Sequence, residues 1–199
     1  DTFSSRGLGD VYKRQGVTTP VADGGLGFTF KWNMGWMHDT LTYLQHDPVH
    51  RKHHHDMLPF AMVYEYSERF IMPLSHDEVV HGKQALLEKM PGDEWQRFAN
   101  LRLLLTYQYT RPGKVLLFMG TELAPYDEWK YADSLDWHLE HDPQRRAFQR
   151  FCQDLGKFYR QQPCLWENDH HPEGFAWIDH ADCENSVIAY ARMARDSHC

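Results

Sequence analysis

The residues best suited to chemistry are Ser75, His76, Asp77 and Glu78, which follow directly on the apolar run Phe70-Ile71-Met72-Pro73-Leu74. Apolar residues that fill a sheet, followed by ionisable ones where the strand meets its loop, are how α/β enzymes present catalytic groups. A carboxylate beside an imidazole at such a place can stabilise developing positive charge and hold a polar ligand at once. A plainer reading is equally open, since Ser and Asp are also the usual residues that cap the start of a helix.

The elements around this cluster alternate. Gly27 to Trp32 reads as a short aromatic strand, and Trp36 to Leu44 as a helix that Asp47-Pro48 stops. Met57 to Tyr66 is mixed, either helix or irregular loop. Phe70 to Ser75 is the next strand. Asp93 is expected to cap a long helix to about Tyr109, with positions 95, 98, 101, 104, 105 and 108 on one face and Gln108 the polar exception. Arg111-Pro112-Gly113 ends it. Val115 to Met119 is continuously apolar, as expected of a parallel strand buried on both faces. A polar loop from Gly120 to Pro143 and a helix from about Gln144 to Arg160 follow. Strands alternating with helices call for parallel pairing, which a barrel and a doubly wound sheet satisfy alike. After Pro163, Gly174 to Asp179 and Ser186 to Arg192 read as two strands joined by the turn His180 to Asn185.

The stretch from Pro73 to Lys83, Pro-Leu-Ser-His-Asp-Glu-Val-Val-His-Gly-Lys, resembles the fourth sequence signature of the α-amylase superfamily, in the longer form found in the 1,4-α-glucan (glycogen) branching enzymes. Four more blocks resemble the same family in the same order. They are Gly24 to Phe28 running into Lys31 to Thr40, Met90 to Asp93, Leu117 to Glu122, and Ser134 to Leu139. The resemblance implies an α/β fold: strands six to eight of a (β/α)8 TIM barrel with their helices over residues 16–163. The start of an all-β C-terminal domain would occupy residues 164–199. Residues 1–15 match nothing in that pattern and are expected to be a non-native junction.

The resemblance also implies chemistry. Retaining glycoside enzymes use one carboxylate as nucleophile and another as acid/base, roughly 5 Å apart. A branching enzyme resolves the glycosyl-enzyme intermediate with a sugar 6-hydroxyl instead of water. In the family the nucleophile and acid end strands four and five, and a third carboxylate follows strand seven. Only that third position is found here, as Asp77, the expected catalytic residue, which would hold sugar hydroxyls and favour the oxocarbenium-like transition state. His76, Glu78, Trp32 and Asn33 are the expected substrate-binding residues, and Trp36 is expected to pack. Glu65, Glu68, Glu122, Asp127 and Glu128 are carboxylates without the context of the missing pair. The chain alone is therefore expected to be inactive, and poorly soluble or molten as an incomplete barrel. Two alternatives are an amylase-type or trehalose-releasing hydrolase of the same superfamily, and a non-catalytic glucan-binding remnant.

Composition narrows the partners. The chain of 199 residues carries a net charge of −7 with its basic residues scattered, which argues against nucleic acid. No apolar run approaches the roughly 20 residues needed to cross a bilayer, so no membrane helix is expected. Cys152, Cys164, Cys183 and Cys199 have no short paired spacing, which favours reduced thiols and a cytoplasmic setting. His50, His53, His54 and His55 with Asp56 suggest a metal site, but adjacent histidines point different ways on a regular backbone, and a polar loop is the better reading. His170-His171 reads the same way. The expected partner is an α-glucan, possession of a metal or cofactor is not expected, and the oligomeric state is open, with a monomer allowed.

Overall fold

In a computed structural model of the protein, residues 15–195 are described. The expected junction therefore lies, but for Gln15, outside the described residues, as does Cys199. Three short strands form one parallel sheet: β1 (Lys31–Trp32), β2 (Phe70–Leu74) and β3 (Lys114–Leu117), in the order β1-β2-β3. Lys31 pairs with Phe70, and Ile71 through Leu74 pair with Lys114 through Leu117. Among the described residues four α-helices accompany them: α1 (Met34–Gln45), α2 (Met57–Phe60), α3 (Glu94–Thr110) and α4 (Pro143–Gln161). An antiparallel hairpin, β4 (Phe175–Asp182) and β5 (Val187–Arg192), follows with irregular register between Trp177 and Asp182.

The helix limits follow from their caps. Asp93 accepts from the Gln96 amide while the Gln96 side chain accepts from the Asp93 amide, a reciprocal box that starts α3. Asp142 does the same service for α4 at the Gln144 amide, with Pro143 at the first helical position. The face of α3 that packs holds Phe98, Leu101, Leu104 and Leu105, and Phe98 meets Phe148 of α4 edge-on at 5.7 Å. Gln108 belongs to that face because its amide donates to the carbonyls of Met72 and Leu116, each at 2.9 Å, and so ties β2 to β3.

Three expectations are corrected. The first strand is only two residues long, because Gly27 takes a positive φ of 73° and the segment before it turns back on Gly16 to Thr19. Trp95 is exposed, since it sits in the first turn of α3, ahead of the Phe98 contact. β3 is only partly buried throughout, not buried on both faces, because it is the outer strand of the parallel sheet. The ambiguous stretch from Met57 to Tyr66 is a chain of short turns: α2, then single 3₁₀ turns at Ala61–Val63 and Glu65–Ser67.

Two buried carboxylates, Glu65 and Asp169, hold charged partners next to the sheet. Glu65 pairs with Arg111, both almost wholly buried, and Arg111 also lies 5.7 Å from the ring centres of Trp36 and Tyr107. Asp169 receives Lys114 at 2.8 Å on one oxygen and Arg192 at 2.6 Å on the other. Arg192 further donates to the Thr110 and Gly174 carbonyls. The start of β3 and the hairpin thus share the Asp169 carboxylate, and Arg192 ties the end of α3 to the same joint.

Candidate active site

Because β1, β2 and β3 run parallel, the residues after them emerge on one edge of the sheet. Asn33, Ser75 and Phe118 are those residues. Ser75 opens a single 3₁₀ turn, His76–Glu78, by a complete capping box. Its hydroxyl accepts from the Asp77 amide at 3.2 Å and donates to a Glu78 oxygen at 2.8 Å, and the same oxygen accepts from the Ser75 amide. The turn therefore does use a cap, and Ser75 with Glu78 supply it. That division leaves His76 and Asp77 outside, with side chains 48% and 45% exposed and the His76 Nε2 3.3 Å from an Asp77 oxygen.

The His76 ring has two aromatic neighbours. Phe118 lies 6.0 Å away and Trp129 6.1 Å away, the latter edge-on, and Phe118 and Trp129 meet edge-on at 5.0 Å. Trp129 comes from the long loop after β3, and its amide donates to the Val79 carbonyl at 2.9 Å. Between these loops lies a concavity lined by Val79, Leu86, Phe118, Glu128, Trp129 and Asp136, among others. Sequence reasoning did not single out Trp129. An aromatic in a polar loop gives no periodicity, and only its contact with His76 distinguishes it.

The other expected site residues divide. Trp32 ends β1 partly exposed, on the same sheet edge. Asn33 is buried and caps α1: its Oδ1 accepts from the Trp36 amide at 2.9 Å and from the Tyr64 hydroxyl at 3.2 Å. Glu78 is buried with its carboxylate engaged by Ser75. The structure therefore gives Asn33 and Glu78 local structural partners, while His76, Asp77 and Trp32 keep accessible surface.

The unassigned carboxylates also find places. Glu65 is buried against Arg111, and burial above all pushes its carboxyl up to about 7, with the Arg111 charge pulling the other way. Glu68 accepts from the Val17 and Thr18 amides and the Thr18 hydroxyl, which holds the segment from Gly16 onto the sheet. Asp127 is exposed, Glu122 lies in the 3₁₀ turn Thr121–Leu123, and Glu128 accepts from two backbone amides across the concavity. Among the described residues, no three His, Cys, Asp or Glu side chains are arranged to hold a metal ion. His46 and His54 stack on each other at 3.8 Å, and the His55 ring meets the His180 carbonyl at 3.1 Å. No described helix is long and apolar enough to cross a membrane.

The chain resembles curated proteins closely over most of its length. It is 59% identical over 180 residues to the 1,4-alpha-glucan branching enzyme GlgB of Methylobacillus flagellatus, covering 90% of this chain and 25% of that one. It is 58% identical over 181 residues to the protein of the same name from Nitrosomonas europaea, and 55% identical over 181 residues to that of Thermobifida fusca, about a quarter of each relative again being covered. No family model matches the chain. Over nine-tenths of its length the chain is similar to one stretch of glycogen branching enzymes. It spans about a quarter of the length of the curated relatives it matches.

Proposed function

We propose that this chain is part of the catalytic barrel of a 1,4-α-glucan branching enzyme, which cleaves an α-1,4-linked chain and transfers it to a 6-hydroxyl with retention. The observation that carries the proposal is the half-exposed His76–Asp77 pair at the C-terminal end of a parallel strand, beside Trp129 and Phe118. Active sites of (β/α)8 barrels lie on that edge, and β1, β2 and β3 with α1, α3 and α4 read as its sixth to eighth units. Residues 16–163 would belong to the barrel, and the hairpin from residue 164 onward to an all-β domain.

In this reading Asp77 accepts hydrogen bonds from sugar hydroxyls at the cleavage subsite. Its charge stabilises the positive ring carbon that develops as the glycosidic bond breaks. His76 donates to the same sugar, and its ring is kept in orientation by the two aromatics. Trp129 and Trp32 offer apolar faces to neighbouring glucose units. Asn33 and Glu78 act indirectly, through the α1 cap and the turn that carries Asp77. The nucleophile and the acid/base come from residues outside this chain. The three described cysteines are free thiols, which suits a cytoplasmic enzyme.

The test replaces the matched quarter of the Methylobacillus flagellatus relative with residues 16–195 of this chain and measures branch formation on amylose. The graft is expected to branch, and D77N to lower the rate about 10³-fold while leaving the fold intact, as loss of one preorganised electrostatic group does. A folded graft that hydrolyses amylose without forming branches would favour the hydrolase reading. A D77N graft that branches at the unmutated rate would remove Asp77 from the chemistry.

A further inference from the structure

The loop from Val79 to Leu87 follows the His76–Glu78 turn directly and has little regular structure to hold it. Two of its residues adopt left-handed backbone: Gly82, at φ 75°, and Gln84, at φ 64°, where a side chain is disfavoured unless the surroundings fix it. Both amides point at one side chain. Glu128 accepts from the Gln84 amide at 2.7 Å on one oxygen and from the Gly82 amide at 3.0 Å on the other. These amides hold the Glu128 carboxyl below the usual carboxylate range, consistent with a charged acceptor. The next residue is Trp129, whose own amide bonds to Val79. Three hydrogen bonds from two consecutive residues thus join the loop after β2 to the loop after β3.

We infer that Glu128 is a positioning residue: its carboxylate clasps the Val79–Leu87 loop and so sets the Trp129 ring against His76, giving an α-glucan an aromatic wall of fixed orientation. The inference rests on the proposed function for its substrate, though not for its geometry. Glu128 touches no sugar in this account. It acts through the place it gives to Trp129 and to the turn carrying Asp77. A side chain on the rim of a site can do this because misplacing a binding group by about 1 Å costs up to about 100-fold in rate.

The experiment uses the same graft with E128A and E128Q and reads two quantities. The first is amide hydrogen exchange over residues 79–87; the second is the KM and kcat of branch formation. E128A is expected to speed exchange at Gly82 and Gln84 and to raise KM about 10-fold with a smaller change in kcat, because Trp129 binds ground and transition states alike. E128Q keeps the length and one carbonyl acceptor and is expected to return KM to within about 3-fold of the unmutated value. Unchanged exchange in E128A overturns the inference, whatever the activity. So does an unchanged KM in an active graft, or a loss of activity that E128Q shares in full and a fallen Tm accompanies. A graft that fails to branch before any mutation counts against the proposed function, and the exchange measurement then decides the clasp by itself.

Discussion

Asn33 offers a sharp test of whether a residue at the sheet edge serves the fold or the sugar. Its Oδ1 accepts from the Trp36 amide and the Tyr64 hydroxyl, and the residue is 1% exposed. N33A removes the cap of α1, worth about 1 kcal/mol. It also leaves the Tyr64 hydroxyl without that acceptor, at a cost of about 1–2 kcal/mol for a partly buried group. The sum is about 2–3 kcal/mol, which lowers the Tm of the grafted enzyme, by less per kcal/mol than in a small domain because the shift scales inversely with the size of the unit that melts. In N33D the capping oxygen remains, but a second carboxylate would stand where the Asn33 Nδ2 now faces Glu65 at 3.5 Å. That variant should therefore recover less than N33S, which caps without adding charge. The assay is thermal unfolding of the grafted enzyme, with KM for amylose measured alongside. A KM raised fivefold or more at an unchanged Tm would refute the reasoning and put Asn33 in contact with glucan.

Three further outcomes follow from the buried charges and the open sheet. The Glu65 carboxyl is raised from 4.5 to about 7, so the folded state keeps a proton that the unfolded chain releases. Its contribution to stability is greatest below pH 4.5 and is lost as pH rises through about 7, and E65Q should flatten the dependence of Tm on pH in that window; an unaltered slope would show that Glu65 titrates normally. D169A would leave Arg192 buried without its carboxylate, costing about 3–5 kcal/mol, and should expose the hairpin to limited proteolysis, whereas an unchanged digestion pattern would contradict the shared-carboxylate joint. The isolated chain exposes Phe28, Val63 and Met119, and among the described residues β1 and β3 each have β2 as their strand neighbour at the margin of a three-stranded sheet. It should keep helical circular dichroism without a cooperative melt, so a sharp transition of a purified monomer would refute that expectation.

Long elements were readable in the sequence because periodicity and caps agree in them. α3 begins at Glu94 after the Asp93 cap and runs to Thr110, and α4 covers Pro143–Gln161, each within a residue or two of its expected limits. The hairpin was readable through its two apolar runs and polar turn, but β4 continues to Asp182, three residues into the turn expected from His180, because Asp182 pairs with Val187. Short elements were not. The strand before Asn33 has too few residues to show a period, and its aromatic run from Phe28 says nothing about the left-handed glycine that delays pairing to Lys31. Partial burial of β3 was invisible because an apolar strand reads alike whether it is central or outermost.

The site divides along a different line. Residue type and order put forward the tetrapeptide Ser75 to Glu78, and the family resemblance chose His76 and Asp77 within it, but which member would be left facing solvent depends on which pair closes the cap. Ser75 and Glu78 are three apart, so their side chains meet on the inner side of one turn, and the two residues between them are turned outward. The cap thus leaves the proposed role of the pair open: Ser75 and Glu78 hold the turn, and His76 and Asp77 keep accessible surface on it. Trp129 and Glu128 lie about 50 positions further on, in a loop whose sequence has no period. They join the site through the ring contacts of Trp129 with His76 and Phe118, its amide bond to Val79, and the Glu128 carboxylate on the Gly82 and Gln84 amides. The partners on the Val79–Leu87 side are backbone groups that every residue carries, so the sequence of that loop does not announce them.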